Sequence, residues 1–168
     1  MVRAYIGLGS NLDDPERQLR RALEALAQLP QTHLAGCSRF YRSVPLGPQD
    51  QPDYMNAVAA LDTTLEAEAL LDALQAIETA QGRVRGPERW GPRTLDLDLL
   101  LYGSAILATP RLSVPHPGLA ERGFVLYPLA ELAPDLVLPD GRTLADLLAR
   151  CDASGLEPLT GRRDILKP

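Results

Sequence analysis

Lysine is almost missing from this chain: Lys167 stands alone against sixteen arginines. Any phosphate site must therefore be built from guanidinium forks, which grip two oxygens at once, and not from ammonium groups. Histidine and cysteine are as scarce, two of each. His33 and His116 have no partner at metal-ligand spacing, which excludes a zinc site. Cys37 and Cys151 form no CxxC pair and read as buried thiols, not as a disulfide or a metal site. No stretch approaches the roughly 18 apolar residues of a membrane span. The start, Met1 to Gly7, has no signal-peptide apolar core and runs into a strand. These absences predict a cytoplasmic protein with no membrane partner. Repeats, low-complexity runs and linkers are missing too, and 168 residues suit a single catalytic domain over 1–168. There is no GxxxxGK[ST] phosphate loop. Gly7-Leu8-Gly9-Ser10-Asn11 lacks GxGxxG spacing and reads as a glycine turn with a structural role.

What is present is unevenly placed. Net charge is −5, which argues against a nucleic-acid partner. Residues 82–93 nevertheless carry +3, leaving −8 on the rest of the chain. Strands are predicted over 2–8, 33–43, 54–62 and 94–102. Asp13-Asp14-Pro15 starts a helix, and Leu19, Leu23, Leu26 and Leu29 carry it over 15–29. Three prolines make 44–53 a loop. Thr63 and Glu66 form a capping box for a second helix, whose stripe is Leu70, Leu74, Ile77 and Gln81 before Gly82. Short strands to about 116 and helices near 121–132 and 143–150 complete the chain. The order β-α-β-β-α-β fits an α+β, ferredoxin-like core, an antiparallel sheet with flanking helices. Such a core hosts many activities and identifies none.

The chemistry concentrates in Thr94-Leu95-Asp96-Leu97-Asp98-Leu99-Leu100-Leu101. Alternate strand residues share a face, so Asp96 and Asp98 project together, about 6.6–6.8 Å apart along the backbone. Leu95, Leu97, Leu99 and Leu101 point into the core. Two such carboxylates repel unless cations sit between them, and two hard ions bridged by phosphate oxygens suit the spacing. Solvated acids on an edge strand are the plainer alternative, but the basic loop that enters this strand favours the metal reading. That loop holds Arg83, Arg85, Arg89 and Arg93, the one tryptophan, Trp90, and Gly82, Gly86 and Gly91. Its glycines and prolines read as a lid, and beside two acidic metal ligands its arginines suit a nucleotide triphosphate. Tyr54 and Asn56 share a strand face, with Phe124 far along the chain. Rings stack on flat heterocycles and an amide pairs with a lactam edge, though taken alone these residues read more simply as core aromatics and a turn-adjacent Asn.

With these motifs the chain resembles the 6-hydroxymethyl-7,8-dihydropterin pyrophosphokinases of folate synthesis. The resemblance runs from Ala4 to about Asp140. It rests on Gly9-Ser10-Asn11, on Phe40 to Asn56 with Pro45-Leu46-Gly47-Pro48-Gln49-Asp50-Gln51-Pro52-Asp53-Tyr54, and on Gln81 to Leu101 with Glu88-Arg89-Trp90-Gly91-Pro92-Arg93-Thr94-Leu95-Asp96-Leu97-Asp98. It implies diphosphate transfer from ATP to the hydroxymethyl group of the dihydropterin. It implies two Mg2+ ions on Asp96 and Asp98, with Arg83 and Arg93 beside them in catalysis. On the nucleotide side it implies Gln75, Glu78, Arg85, Arg89, Leu99, Arg111, Ser113, His116 and Arg122. Pterin would lie between Tyr54 and Phe124, with Asn56, Trp90 and the backbone of Ser43, Val44, Pro45 and Leu46 around it. The chain departs from the family pattern at Ser43-Val44, and at Pro117, where some members carry an aromatic. No obligate protein partner is evident. Two other readings stay open: a two-metal nucleotide hydrolase or nuclease, and a non-catalytic ferredoxin-like binding module.

Overall fold

The computed structural model describes residues 1–12, 14–43, 53–82, 95–152 and 155–158. Residues 44–52 of the expected loop 44–53, the expected basic loop 83–93 with residue 94, and residues 13, 153–154 and 159–168 lie outside the described residues.

Strand β1 is Val2–Ser10, helix α1 Pro15–Ala27, β2 Thr32–Cys37, β3 Tyr41–Ser43, β4 Tyr54–Thr63 and helix α2 Ala67–Ala80. Then come β5 Asp96–Tyr102, β6 Leu107–Ala108, β7 Ser113–Val114, α3 Gly123–Leu132, α4 Leu144–Ala149 and β8 Leu156–Pro158. The main sheet has the order β5-β1-β4-β3-β8, with β2 also on β4, and its pairings are antiparallel. β6 and β7 form a separate hairpin.

Strand alternation gives the sheet two apolar faces. Ala4, Ile6, Leu8, Ala57, Ala59, Leu61, Leu97 and Leu99 meet Leu19, Leu23 and Leu26 of α1 and Leu70, Leu74 and Ile77 of α2. Tyr5, Val58, Ala60, Leu100 and Leu101 meet Val125, Leu126 and Leu129 of α3 and Leu144 and Leu147 of α4. The result is three layers, helices on both sides of an antiparallel sheet.

Local signals explain most boundaries. Asp14 caps α1 by accepting from the Arg17 amide, and Pro15 follows at the first turn. Gly82, at φ +92°, supplies the left-handed residue beyond the end of α2. Other expectations are corrected. β1 runs on through Gly9 to Ser10, so Gly7 and Gly9 stand in a strand and not in a turn. The predicted strand at 33–43 is broken at Ser38, whose amide and hydroxyl both pair with the Val58 backbone. The capping box does not form: Glu66 is the N-cap, without a side-chain bond. Thr63 ends β4, where its hydroxyl meets Thr32 and accepts from the Leu65 amide. Leu101 faces the α3 layer, because the β1–β5 register shifts between Tyr5 and Ile6 and reverses the alternation after Leu99. Cys37 and Cys151 are free and half-buried rather than fully buried. Burial still pushes the Cys37 thiol up to about 12, which leaves it inert near neutrality.

Candidate active-site cleft

One end of the sheet collects the polar residues. Asp96 pairs with Gly9, Gly9 with Asn56, and Asn56 with Tyr41, a single row across β5, β1, β4 and β3. One step inward, Asp98 pairs with Gly7 and Gly7 with Val58. The two glycines leave the middle of the row without side chains, and a cleft opens over them. Asp96 and Asp98 form one wall, Ser43, Tyr54 and Asn56 the other, and Arg122, Phe124 and Val125 close it from the α3 side. The gap depends on glycine: a Cβ on Gly9 would stand 3.1 Å from Asn56 Oδ1, and one on Gly7 3.4 Å from Leu100 Cδ2.

Asp96 is half-buried and Asp98 exposed, and both line the cleft. Behind them, on the opposite face, Glu78 is 3% exposed, and its carboxylate accepts from the Leu97 amide at 2.8 Å. β5 is an edge strand, and this bond satisfies a backbone donor between the two aspartates. Gln81, also buried, donates to the backbone and side-chain oxygens of Gln18 at 3.0 and 2.8 Å and ties the end of α2 to α1.

On the other wall Asn56 is buried, and its Nδ2 donates to Ser43 Oγ at 2.7 Å. Sequence reasoning assigned Ser43 its backbone alone; its hydroxyl also holds the amide. Beyond it, Glu131 of α3 accepts from the Arg39 amide at 2.9 Å, from Arg39 Nε at 3.1 Å and from the Tyr41 hydroxyl. That cluster pins α3, whose first turn carries Phe124, to the sheet beside Asn56.

Of the expected site residues, the cleft brings together Tyr54, Asn56, Asp96, Asp98, Arg122 and Phe124. Glu78 and Leu99 are buried on the α1–α2 face, and Gln75 is half-buried on α2. Arg111 is paired with Asp72 and Glu68 of α2, and exposed Ser113 sits on the β6–β7 hairpin. His116 Nδ1 accepts from the Gly118 amide at 3.0 Å, which places the proton of the neutral ring on Nε2. Val44, Pro45, Leu46, Arg83, Arg85, Arg89, Trp90 and Arg93 lie outside the described residues. Sequence reasoning missed Gly7 and Gly9 as cleft floor. Their i, i+2 spacing at the end of an apolar strand was the available signal, since such glycines share one face.

A cleft that opposes a carboxylate pair to an amide and two aromatic rings, on a three-layer α+β frame, is an enzyme's: one wall suits a cation and phosphates, the other a flat polar ring. The chain belongs to the 7,8-dihydro-6-hydroxymethylpterin-pyrophosphokinase (HPPK) family, whose model matches residues 5–134. Membership makes it an ATP-dependent pyrophosphokinase of folate biosynthesis. It is 60% identical over 159 residues to the 2-amino-4-hydroxy-6-hydroxymethyldihydropteridine pyrophosphokinase of Pseudomonas aeruginosa, across 95% of this chain and 98% of that one. Against the protein of the same name from Haemophilus influenzae it is 56% identical, across 88% and 92%. Among solved structures, a Plasmodium falciparum HPPK-DHPS A437G with SDX-DHP superposes with a TM-score of 0.71 at 13% identity. That match covers 89% of this chain and 45% of the longer one, and shows a shared fold. No described helix is long and apolar enough to cross a membrane.

Proposed function

We propose that this cleft carries out diphosphate transfer from ATP to the hydroxymethyl group of 6-hydroxymethyl-7,8-dihydropterin, with pterin on the Asn56 side and phosphates on the Asp96–Asp98 side. The observation that carries this reading is the row Asp96–Gly9–Asn56 across three paired strands. Two strand spacings separate the carboxylate wall from the amide wall by about 10 Å. A flat molecule lying over Gly9 therefore reaches both.

On this reading Tyr54 and Phe124 sandwich the ring, and Asn56, steadied by Ser43, reads its edge. Asp96 and Asp98 suit magnesium. They are hard oxygen donors on one face, and among the described residues no third His, Cys, Asp or Glu completes a protein cage around an ion. Phosphate and water oxygens must fill such a shell, as magnesium prefers. We take the number of ions as two, which Asp96 and Asp98 would hold. When bound, magnesium neutralises charge on the phosphate oxygens. Arg83 and Arg93 are assigned to the transferring group, and Arg85, Arg89, Arg111 and Arg122 to the nucleotide, with Gln75, Glu78, Leu99, Ser113 and His116. Ser43 and Leu95, next to segments 44–52 and 83–94, stand at the cleft end of the sheet. That position supports roles for Val44, Pro45, Leu46 and Trp90 around the pterin. The hydroxymethyl oxygen attacks the β-phosphorus and gives up its proton to water, the bond from the β-phosphorus to the α-phosphate oxygen breaks, and AMP leaves. Positioning and charge neutralisation supply the rate.

We read the run β1-α1-β2/β3-β4-α2-β5 as a ferredoxin-like βαββαβ core, which the strand order β5-β1-β4-β3 supports. We also read 1–168 as one catalytic domain working in the cytoplasm, with no nucleic-acid or membrane partner. The test is Asp98→Ala. Turnover should be abolished and magnesium-dependent ATP binding weakened. Near-normal activity at saturating magnesium would sink the assignment.

A further inference from the structure

Gly118 lies in the turn between β7 and α3, buried, at φ −91° and ψ 0°. Its amide donates to His116 Nδ1, and its carbonyl accepts from the Glu121 amide. Nothing in that backbone conformation demands glycine. The space above it does. A Cβ at 118 would stand 2.4 Å from both Cζ and Nε of Arg122 and 2.7 Å from Nη2. The guanidinium therefore lies directly against the bare Cα. From there its Cζ sits 5.9 Å from the Phe124 ring centroid, and the side chain lines the cleft with Asp96 and Asp98.

We propose that Gly118 is a positioning residue: its missing side chain is the seat on which the Arg122 guanidinium rests, holding that cation over Phe124 and against the cleft. The proposal rests on the reading of Arg122 as a nucleotide-side residue. Arginine has several rotatable bonds, and its head can sample many positions. Packing it against a buried backbone removes that freedom before ligand arrives, which favours binding by pre-organisation. The same contact joins the two substrates: Phe124 belongs to the ring side and Arg122 to the phosphate side.

The variant is Gly118→Ala, read alone and combined with Arg122→Ala. The backbone at 118 accepts alanine, and the atoms in its way end a flexible side chain, so the melting temperature should stay within about 2 °C of the parent. A drop well beyond that makes Gly118 a structural glycine and overturns the seat. Calorimetry with magnesium and a non-hydrolysable ATP analogue should show about 10-fold weaker binding for Gly118→Ala. In the Arg122→Ala background the same change should cost less than about 2-fold, because the two share one interaction. Equal losses in both backgrounds, or none in either, overturn the proposal. A crystal structure of Gly118→Ala reads the seat without nucleotide: the guanidinium should leave residue 118 while the backbone stays. A shifted backbone with Arg122 in place contradicts the seat. If the guanidinium moves but Arg122→Ala binds the analogue normally, the seat stands and the nucleotide role of Arg122 fails.

Discussion

Asn56 is held from two sides: Ser43 Oγ takes its Nδ2, and Gly9 leaves room for its Oδ1. Asn56→Ala should weaken pterin binding by about 1–3 kcal/mol, roughly 5- to 150-fold, and leave ATP binding nearly intact. Calorimetry with each ligand separately checks this, and an equal loss for ATP would mean that the ring site is misplaced. Gly9→Ala should act on the same group without touching it chemically. The new methyl, 3.1 Å from Oδ1, forces the amide aside and fills the gap between the walls. Pterin affinity should fall at least as far as in Asn56→Ala; unchanged affinity would show that nothing lies over Gly9. Tyr41 offers a test by pH. Burial and its bond to Glu131 push its hydroxyl up to about 12, against about 10 in the unfolded chain. The neutral form is thus favoured by folding. Its contribution is complete below about pH 10 and is lost as pH rises to about 12. The stability advantage over Tyr41→Phe, measured in urea, should shrink across that window; a constant advantage would contradict the buried bond.

At the scale of elements, β5 carries the carboxylates, and its alternation was legible because Asp-x-Asp sits inside a run of leucines. The bulge that turns Leu101 to the other face was not legible, since it arises from register with β1 and leaves no mark in β5 itself. Residues 33–43 likewise read as one strand because the break comes from Ser38 bonding to Val58, twenty residues away. The Thr63–Glu66 box failed for a related reason: the strand partner Thr32 claims the hydroxyl that a local rule assigns to the helix. Asp14-Pro15 and Gly82 succeeded because a cap is settled within a few residues. The site divides in the same way. Of the residues that line the cleft, strand periodicity singled out Tyr54, Asn56, Asp96 and Asp98, ring chemistry Phe124, and resemblance Arg122. Ser43 and the glycine floor needed the pairing of four strands to be seen. Glu78 shows how an element is held from behind. Glu78→Ala leaves the Leu97 amide without its acceptor, and should cost about 1–3 kcal/mol in denaturant unfolding. Unchanged stability would mean that water replaces the carboxylate there.

Among the described residues, the three layers leave one end of the sheet open, and the cleft occupies it. The α1–α2 layer buries the back of β5 and β1. The α3–α4 layer covers the other face as far as Phe124 and Val125, where the cleft begins. The glutamate cluster at Arg39, Tyr41 and Glu131 fixes that limit, so the distance between ring wall and carboxylate wall is a property of the packed sheet and not of a loop. Family membership assigns the reaction, and on the proposed reading the carboxylate wall takes the phosphates and the aromatic wall the pterin. A hydrolase using the same carboxylates would have no use for the Tyr54–Asn56–Phe124 wall. The most direct measurement is product analysis after incubation with ATP, magnesium and 6-hydroxymethyl-7,8-dihydropterin. The account predicts AMP and pterin diphosphate in equal amounts, with no AMP when the pterin is left out. ADP or free phosphate as the main product, or ATP consumed equally well without pterin, would contradict it.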